Sequence, residues 1–572
     1  MKKIKYCVIK NSLIIMINSK FIILLIIYIY SVNQSFGQSF SNPILPGGYP
    51  DPSICRVGDN FIMVNSSFEY FPALPIHKSK DLVNWELVGH GLNRLEQVSG
   101  QINLIDVQSN GGIHAPTIRF HNGKYHIITT TVYYDEKKQQ ATATNFIITS
   151  SNPEGPWSNP IVIKGAPGID PDIFFDDNGR VWYTGNHQPS DPTFDGETEI
   201  WMQELDPNSF QLKGQRFFLW RGACEGVWAE GPHIYKKDGN YYLLIAEGGT
   251  SYNHAIMVAI SDNITGPYIP NDRNPIFSSR HLSYDNWVHS TGHGDLIELE
   301  NGRWYVVMLG IRGELKRKSN MGRETFIAPV SWEREPYSWK EEKILWPVIA
   351  PKSGKILKNN PLIFNETLVT KETVFVDEFN KNNMGLQWVF RRVPMENMFD
   401  LEENPGFLRI YLTPNKLQER VRANFTGIKQ TESEFSFETK MTFSPSSDND
   451  EAGIAIVQKD NNFLSFTIKK LSDNISLELK HKNEIETNIA SKKIDFNTKI
   501  PIKLKVESFN NIYNFYYATE NQKFQFFAET PADHVLSNGY TGAHIGLYAT
   551  SNGQISIGYA DFDKVKYKAV KN

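Results

Sequence analysis

A turn signal followed by an aromatic or apolar strand recurs five times in the first ~350 residues: Gly58-Asp59-Asn60-Phe61, Gly123-Lys124-Tyr125, Gly179-Arg180-Val181-Trp182, Gly239-Asn240-Tyr241 and Gly302-Arg303-Trp304. The glycines stand 65, 56, 60 and 63 residues apart, and Asn or Asp directly precedes the last four. Such a pair suits a hairpin turn with glycine at positive φ, and the runs that follow, such as Tyr241 to Ala246, read as half-buried strands. Five strand-rich units of about 60 residues without helical periodicity predict an all-β, five-bladed β-propeller; an irregular β-sandwich is the alternative. The 25 Tyr, 35 Phe and 12 Trp beside 40 Gly and 30 Pro suit many short strands joined by tight turns.

The register of the repeat says more than its period. Nine residues before the last four glycines stand His114, Asp170, Glu230 and His293, and seven before the first stands Asp51. Equivalent positions near the start of innermost propeller strands face one axis, so these five polar side chains are expected to converge although far apart in sequence. Strands feeding a core otherwise prefer small or apolar residues there.

Three carboxylates and two imidazoles around one axis suggest acid/base catalysis or a metal site. Metal-ligand spacings are missing: there is no H-x-x-x-H, no cysteine cluster and no EF-hand loop. A single ion held between blades stays open. Paired carboxylates suit glycoside hydrolysis, one protonated to assist the leaving group and one ionised to activate water. A third carboxylate nearby would keep the acid's pKa high. Neither a G-x-S-x-G elbow nor a phosphate-binding G-x-x-x-x-G-K-[ST] loop is present. With 59 basic against 63 acidic side chains, a net charge of -4 offers no footprint for nucleic acid.

The motifs Pro50-Asp51-Pro52-Ser53, Gly168-Ile169-Asp170-Pro171 and Ala229-Glu230-Gly231-Pro232-His233 resemble the three acidic motifs of glycoside hydrolase family 43. Ser67-Phe68-Glu69-Tyr70-Phe71, Glu247-Gly248-Gly249-Thr250 and Gly322-Arg323-Glu324-Thr325 extend the likeness over about residues 42 to 350. The resemblance implies an inverting hydrolase with Asp51 as general base, Glu230 as general acid and Asp170 orienting the sugar and tuning the acid. It further implies that Arg323 and Phe68 contact the sugar, and that His293 lies on the channel axis, where in some members it sits by a bound calcium or water. No cofactor is required on this reading; a structural calcium near His293 stays open. His114 departs from the family pattern, where Trp or Tyr is common; as a binding residue it would make the neighbouring subsite more polar. Asp172, Asp176 and Asp177 read as turn residues, Glu230 could instead pair with Arg221 or Lys236, and Asp295 is a possible support for His293.

The propeller is expected over residues 38–351, a linker over 352–371 and a second domain over 372–572. There, alternation as in Phe435 to Met441 and Ile502 to Val506 predicts an antiparallel β-sandwich. Gly385 to Trp388, Glu451 to Ile454 and Gly546 to Thr550 resemble the jelly-roll, concanavalin-like domain of family 43 β-xylosidases. That likeness implies a loop closing one side of the active-site mouth, for which Tyr540 to His544 is the candidate. Residues 1–37, with Lys2, Lys3 and Lys5, an apolar run from Phe21 to Tyr30 and small residues Ser35 and Gly37, read as a secretory signal peptide or an uncleaved anchor. A ten-residue run is too short for a stable membrane span, so a secreted or periplasmic location is expected. Cys7 lies ahead of the apolar run; Cys55 and Cys224 permit one bridge but read better as buried small hydrophobes. The expected activity is exo-acting release of terminal xylose or arabinose from xylan-derived oligosaccharides, as a β-xylosidase, an α-L-arabinofuranosidase or both. A non-catalytic carbohydrate-binding propeller and an endo-acting arabinanase are the competing readings.

Overall fold

The computed structural model describes residues 39–570, apart from 224–225, 316, 335–343, 369–371, 473, 496, 520–521 and 538–539. The leader, Cys7 and Cys224 lie outside the described residues; Cys55 is free and buried. Five antiparallel sheets follow in chain order. Each blade begins on its innermost strand: Ser53–Val57, Gly112–His121, Asp172–Phe175, Glu230–Lys237 and Val288–Glu298. The second strands follow the five repeat glycines, whose φ angles lie between 59° and 82°. A Cβ there would meet nothing within 4 Å, so these positions call for glycine by conformation, not by space.

The apolar runs are continuous rather than alternating because each blade is covered on both faces. Adjacent residues in a strand point to opposite faces, and here each face has a neighbour. Ile62 packs toward the second blade while Met63 packs toward the fifth; Ile127 and Ile128, Leu243 and Leu244, and Val306 and Val307 divide in the same way. Five buried clusters thus fill the five seams. The ring is strapped by the segment before the first blade: Ser39–Ser41 pairs with Asn359–Pro361. The Asn42 side-chain amide both donates to Ile327 O and accepts from Ile327 N at 3.0 Å. The stretch read as a linker is therefore held against the propeller, with Ile356 and Ile363 buried.

Beyond it, two eight-stranded antiparallel sheets face each other over a core that includes Phe437, Ile454, Leu504 and Leu547. One sheet does not end in its own domain. Its edge strand Val389–Arg391 pairs with Tyr70–Phe71 from the first blade, so a propeller loop completes the sandwich. Buried charges fasten the same seam. Arg391 meets Glu69 at 3.2 Å, Arg392 Nε donates to Val107 O at 2.7 Å, and Arg312, which binds Glu324 at 2.7 Å, also reaches Glu432 at 2.5 Å. No helix among the described residues is long and apolar enough to cross a membrane.

Candidate active site

All five register residues, Asp51, His114, Asp170, Glu230 and His293, line one pocket of about 410 Å³, together with Phe68 and Arg323. The backbone is bent to present several of them: Asp51 and Asp170 just before inner strands, His293 within one, and Phe68 in a loop of the first blade have φ of 50°, 54°, 48° and 50°. Non-glycine residues rarely adopt such angles, and their clustering at one concave site is the pattern of strain held for function. Asn186 ties two of these entries together. Its side chain accepts from Ile169 N at 3.1 Å and donates to Ala229 O at 3.3 Å, the residues just before Asp170 and Glu230.

Burial acts strongly on Glu230 and Asp170. Asp51 accepts a 2.5 Å hydrogen bond from Ser66 Oγ and lies 3.6 Å from His293 Nδ1. Glu230 is desolvated, which outweighs the pull of Arg323 and, helped by the charge of Asp51, pushes its carboxyl up to about 7. Asp170 is buried beside Glu230 and Asp51 and is also pushed well up, although it accepts the Gly231 N–H and feels Arg323. Two close carboxyls cannot both ionise cheaply, so the Asp170–Glu230 pair retains a proton near neutral pH. Desolvation lowers His114 to about 4 and lowers His293 as well, despite the attraction of Asp51. Both imidazoles are accordingly neutral. His114 Nε2 lies 3.0 Å from Asn110 O, which holds its ring edge-on to Phe68 at 4.9 Å.

One wall comes from the sandwich. Tyr540 stacks on Phe68 at 5.4 Å, lies under the Arg323 guanidinium at 4.2 Å and meets His114 at 5.7 Å. Trp228, 47% exposed, also lines the pocket, and its ring packs over Gly249; a Cβ on that glycine would stand 2.4 Å from the ring. Trp228, Ser66 and Asn186 were not singled out from the sequence. Trp228 stands two residues before Glu230, and Gly248-Gly249 is the only local hint of the space its ring needs.

Beneath the pocket runs a buried network that the sequence reading mostly missed. Asp295 accepts from Arg119 at 2.8 Å, Ser53 Oγ at 2.7 Å, Ile54 N at 3.0 Å and Tyr235 OH at 2.6 Å. Arg119 also reaches Asp172 at 3.1 Å and His233 Nδ1 at 3.1 Å, so side chains of all five blades meet there. Asp172 is therefore not a turn residue: it lies on an inner strand, fully buried, accepting from Ile234 N at 3.0 Å. Asp176 is likewise buried, held by Lys236 at 3.0 Å, whereas Asp177 is exposed in the turn. Asp295 supports His293 only through its charge; its hydrogen bonds go elsewhere. The ion pairs considered for Glu230 are not formed, since Arg221 binds Glu197 and Glu199, and Lys236 binds Asp176 and Asp177.

The charged and titratable groups acting on His293 are Asp51, Asp295, Arg323 and His233. Among the described residues no cluster of three or more His, Cys, Asp or Glu is arranged to hold a metal.

Residues 40–336 match the family profile described as glycosyl hydrolases family 43, and residues 376–568 match the beta xylosidase C-terminal concanavalin A-like domain. A xylosidase/arabinosidase of Butyrivibrio fibrisolvens is 39% identical over 535 residues, covering 91% of this chain and 98% of the relative. A non-reducing end alpha-L-arabinofuranosidase of Bacteroides ovatus is 32% identical, covering 97% and 99%. The crystal structure of a xylan beta-1,4-xylosidase from Bacillus halodurans superposes with a TM-score of 0.83 at 29% identity, covering 93% of this chain and 100% of the other. The pocket, its propeller and the attached sandwich thus have one common source: the chain belongs to glycoside hydrolase family 43.

Proposed function

We propose that this glycoside hydrolase is an exo-acting, inverting enzyme that releases a terminal xylose or arabinose from xylan-derived oligosaccharides. The observation that carries the reading is the meeting of Asp51, Asp170 and Glu230 in one pocket that Tyr540 of the sandwich walls on one side. A closed end suits a chain terminus rather than a chain interior. Glu230, still protonated near neutral pH, gives its proton to the glycosidic oxygen as the bond to the anomeric carbon breaks. Asp51 takes a proton from the water whose oxygen forms the new bond on the opposite face, so the configuration inverts. Asp170, buried beside Glu230 and raised by its charge, shares the pair's proton and, with Arg323, holds sugar hydroxyls.

Relatives bear the names xylosidase/arabinosidase, beta-xylosidase and arabinofuranosidase, which supports a pentose and leaves both pentoses as substrates. The lysine-flanked apolar run and the small residues Ser35 and Gly37 support export. Purified protein is expected to hydrolyse 4-nitrophenyl β-xyloside or 4-nitrophenyl α-arabinofuranoside, and xylobiose, with the first product seen by NMR in the inverted anomeric form. Binding of these sugars without hydrolysis would sink the enzyme reading in favour of a binding propeller, and retained configuration would sink inversion.

A further inference from the structure

A second pocket of about 480 Å³ adjoins the first, sharing Thr250, Ser251, Arg323 and Tyr540 as a common wall. Its chemistry is the reverse of its neighbour's. The first holds three carboxylates; the second has none in its lining and instead presents Arg317, Lys318 and His289. Arg317 is flanked by two exposed rings, lying 3.7 Å from the Tyr284 centroid and 5.4 Å from that of Tyr252. These tyrosines are 69% and 47% exposed, so their rings are open to solvent beside the guanidinium. One guanidinium nitrogen donates to Tyr284 O, and His289 Nε2 lies 2.7 Å from Arg317 O, which fixes the base of the side chain. Among the described residues no carboxylate pairs with Arg317 or Lys318.

Two cations without acidic partners beside a three-carboxylate pocket do nothing for a neutral sugar. They do offset the field that would repel an acidic one, and a planar guanidinium between aromatic faces suits a carboxylate on a sugar ring. We propose that this second pocket is a subsite for a uronosyl carboxylate carried by the bound oligosaccharide, so that acidic xylo-oligosaccharides are preferred over neutral ones. The inference rests on the glycosidase reading above and sharpens its substrate class.

Calorimetric binding to the full chain carrying Glu230→Gln tests it, with xylotriose, xylotriose bearing a glucuronosyl branch on its middle unit, and free glucuronate as probes. The branched sugar should bind about tenfold more tightly than xylotriose at low salt, the value of one charge-assisted contact. The gap should narrow in ~0.5 M salt, where exposed charges are screened. Adding Arg317→Ala should close it, and adding Lys318→Ala should reduce it. Equal affinities for the two oligosaccharides, or a gap that survives both salt and Arg317→Ala, would overturn the subsite. Free glucuronate binding as tightly as the branched sugar would make the pocket a bare anion site and overturn it too. Binding of neither oligosaccharide overturns both readings; binding of both with no gap overturns this one alone.

Discussion

Replacing Glu230 by Gln separates the acid's role in catalysis from its cost to the fold. Burial in the pocket raises its carboxyl from 4.5 to about 7, a difference of 2.5 units. Below pH 4.5 the group is protonated in both folded and unfolded chains and costs nothing. Between 4.5 and 7 the unfolded chain ionises while the pocket still holds the proton, so stability falls as pH rises; above 7 the loss is complete. At about 1.36 kcal/mol per unit the full penalty is about 3 kcal/mol, of which about 1 kcal/mol is present at pH 5. Gln has nearly the same shape and no charge, so it removes the penalty. Relief of the like charge on Asp170 acts in the same direction. Glu230→Gln should thus melt within about a degree of the wild type at pH 5 and a few degrees above it at pH 8. Hydrolysis of xylobiose should fall roughly 10²- to 10⁴-fold, and wild-type kcat/KM should show an alkaline limb centred near 7. Scanning calorimetry at the two pH values is the decisive assay. A melting gap that is the same at both, or a variant less stable at pH 8, would refute the assignment of a raised, desolvated carboxyl.

Two further perturbations probe the surroundings of that acid. Asp295→Ala strips Arg119, itself 17% exposed, of its strongest partner in a largely buried network and should cost about 3 kcal/mol, the low end for a broken buried pair because Asp172 remains 3.1 Å away; an unchanged denaturation midpoint would show that the axial network does not hold the blades. Tyr540→Ala removes the ring that stacks on Phe68 and carries Arg323, and should lower kcat/KM roughly tenfold, mainly through KM; a change under about twofold would mean the sandwich does not shape the sugar pocket.

Much of the site was readable from spacing because a propeller repeats its geometry. Each blade enters on an inner strand, turns at a glycine and returns, so a constant offset from that glycine marks a constant place near the axis. Asp51, His114, Asp170, Glu230 and His293 share one pocket for that reason. Asp172 was misread because an aspartate near a turn looks the same whether it faces water or, as here, Arg119 from another blade. Trp228 and Asn186 were missed because their importance lies in what packs against them, a glycine with no Cβ and two backbone groups on separate strands.

The sequence by itself determined the blade count, the strand phases and the convergence of the acids, all consequences of local turn chemistry repeated at even intervals. Tertiary structure alone decided the rest. It set Tyr540 against Phe68 across 472 residues of chain and extended the sandwich sheet with Tyr70–Phe71. It also opened a cationic pocket beside an acidic one. Contacts between distant segments depend on which surfaces meet after folding, and desolvation, which raises Glu230 and Asp170, exists only once those surfaces have closed.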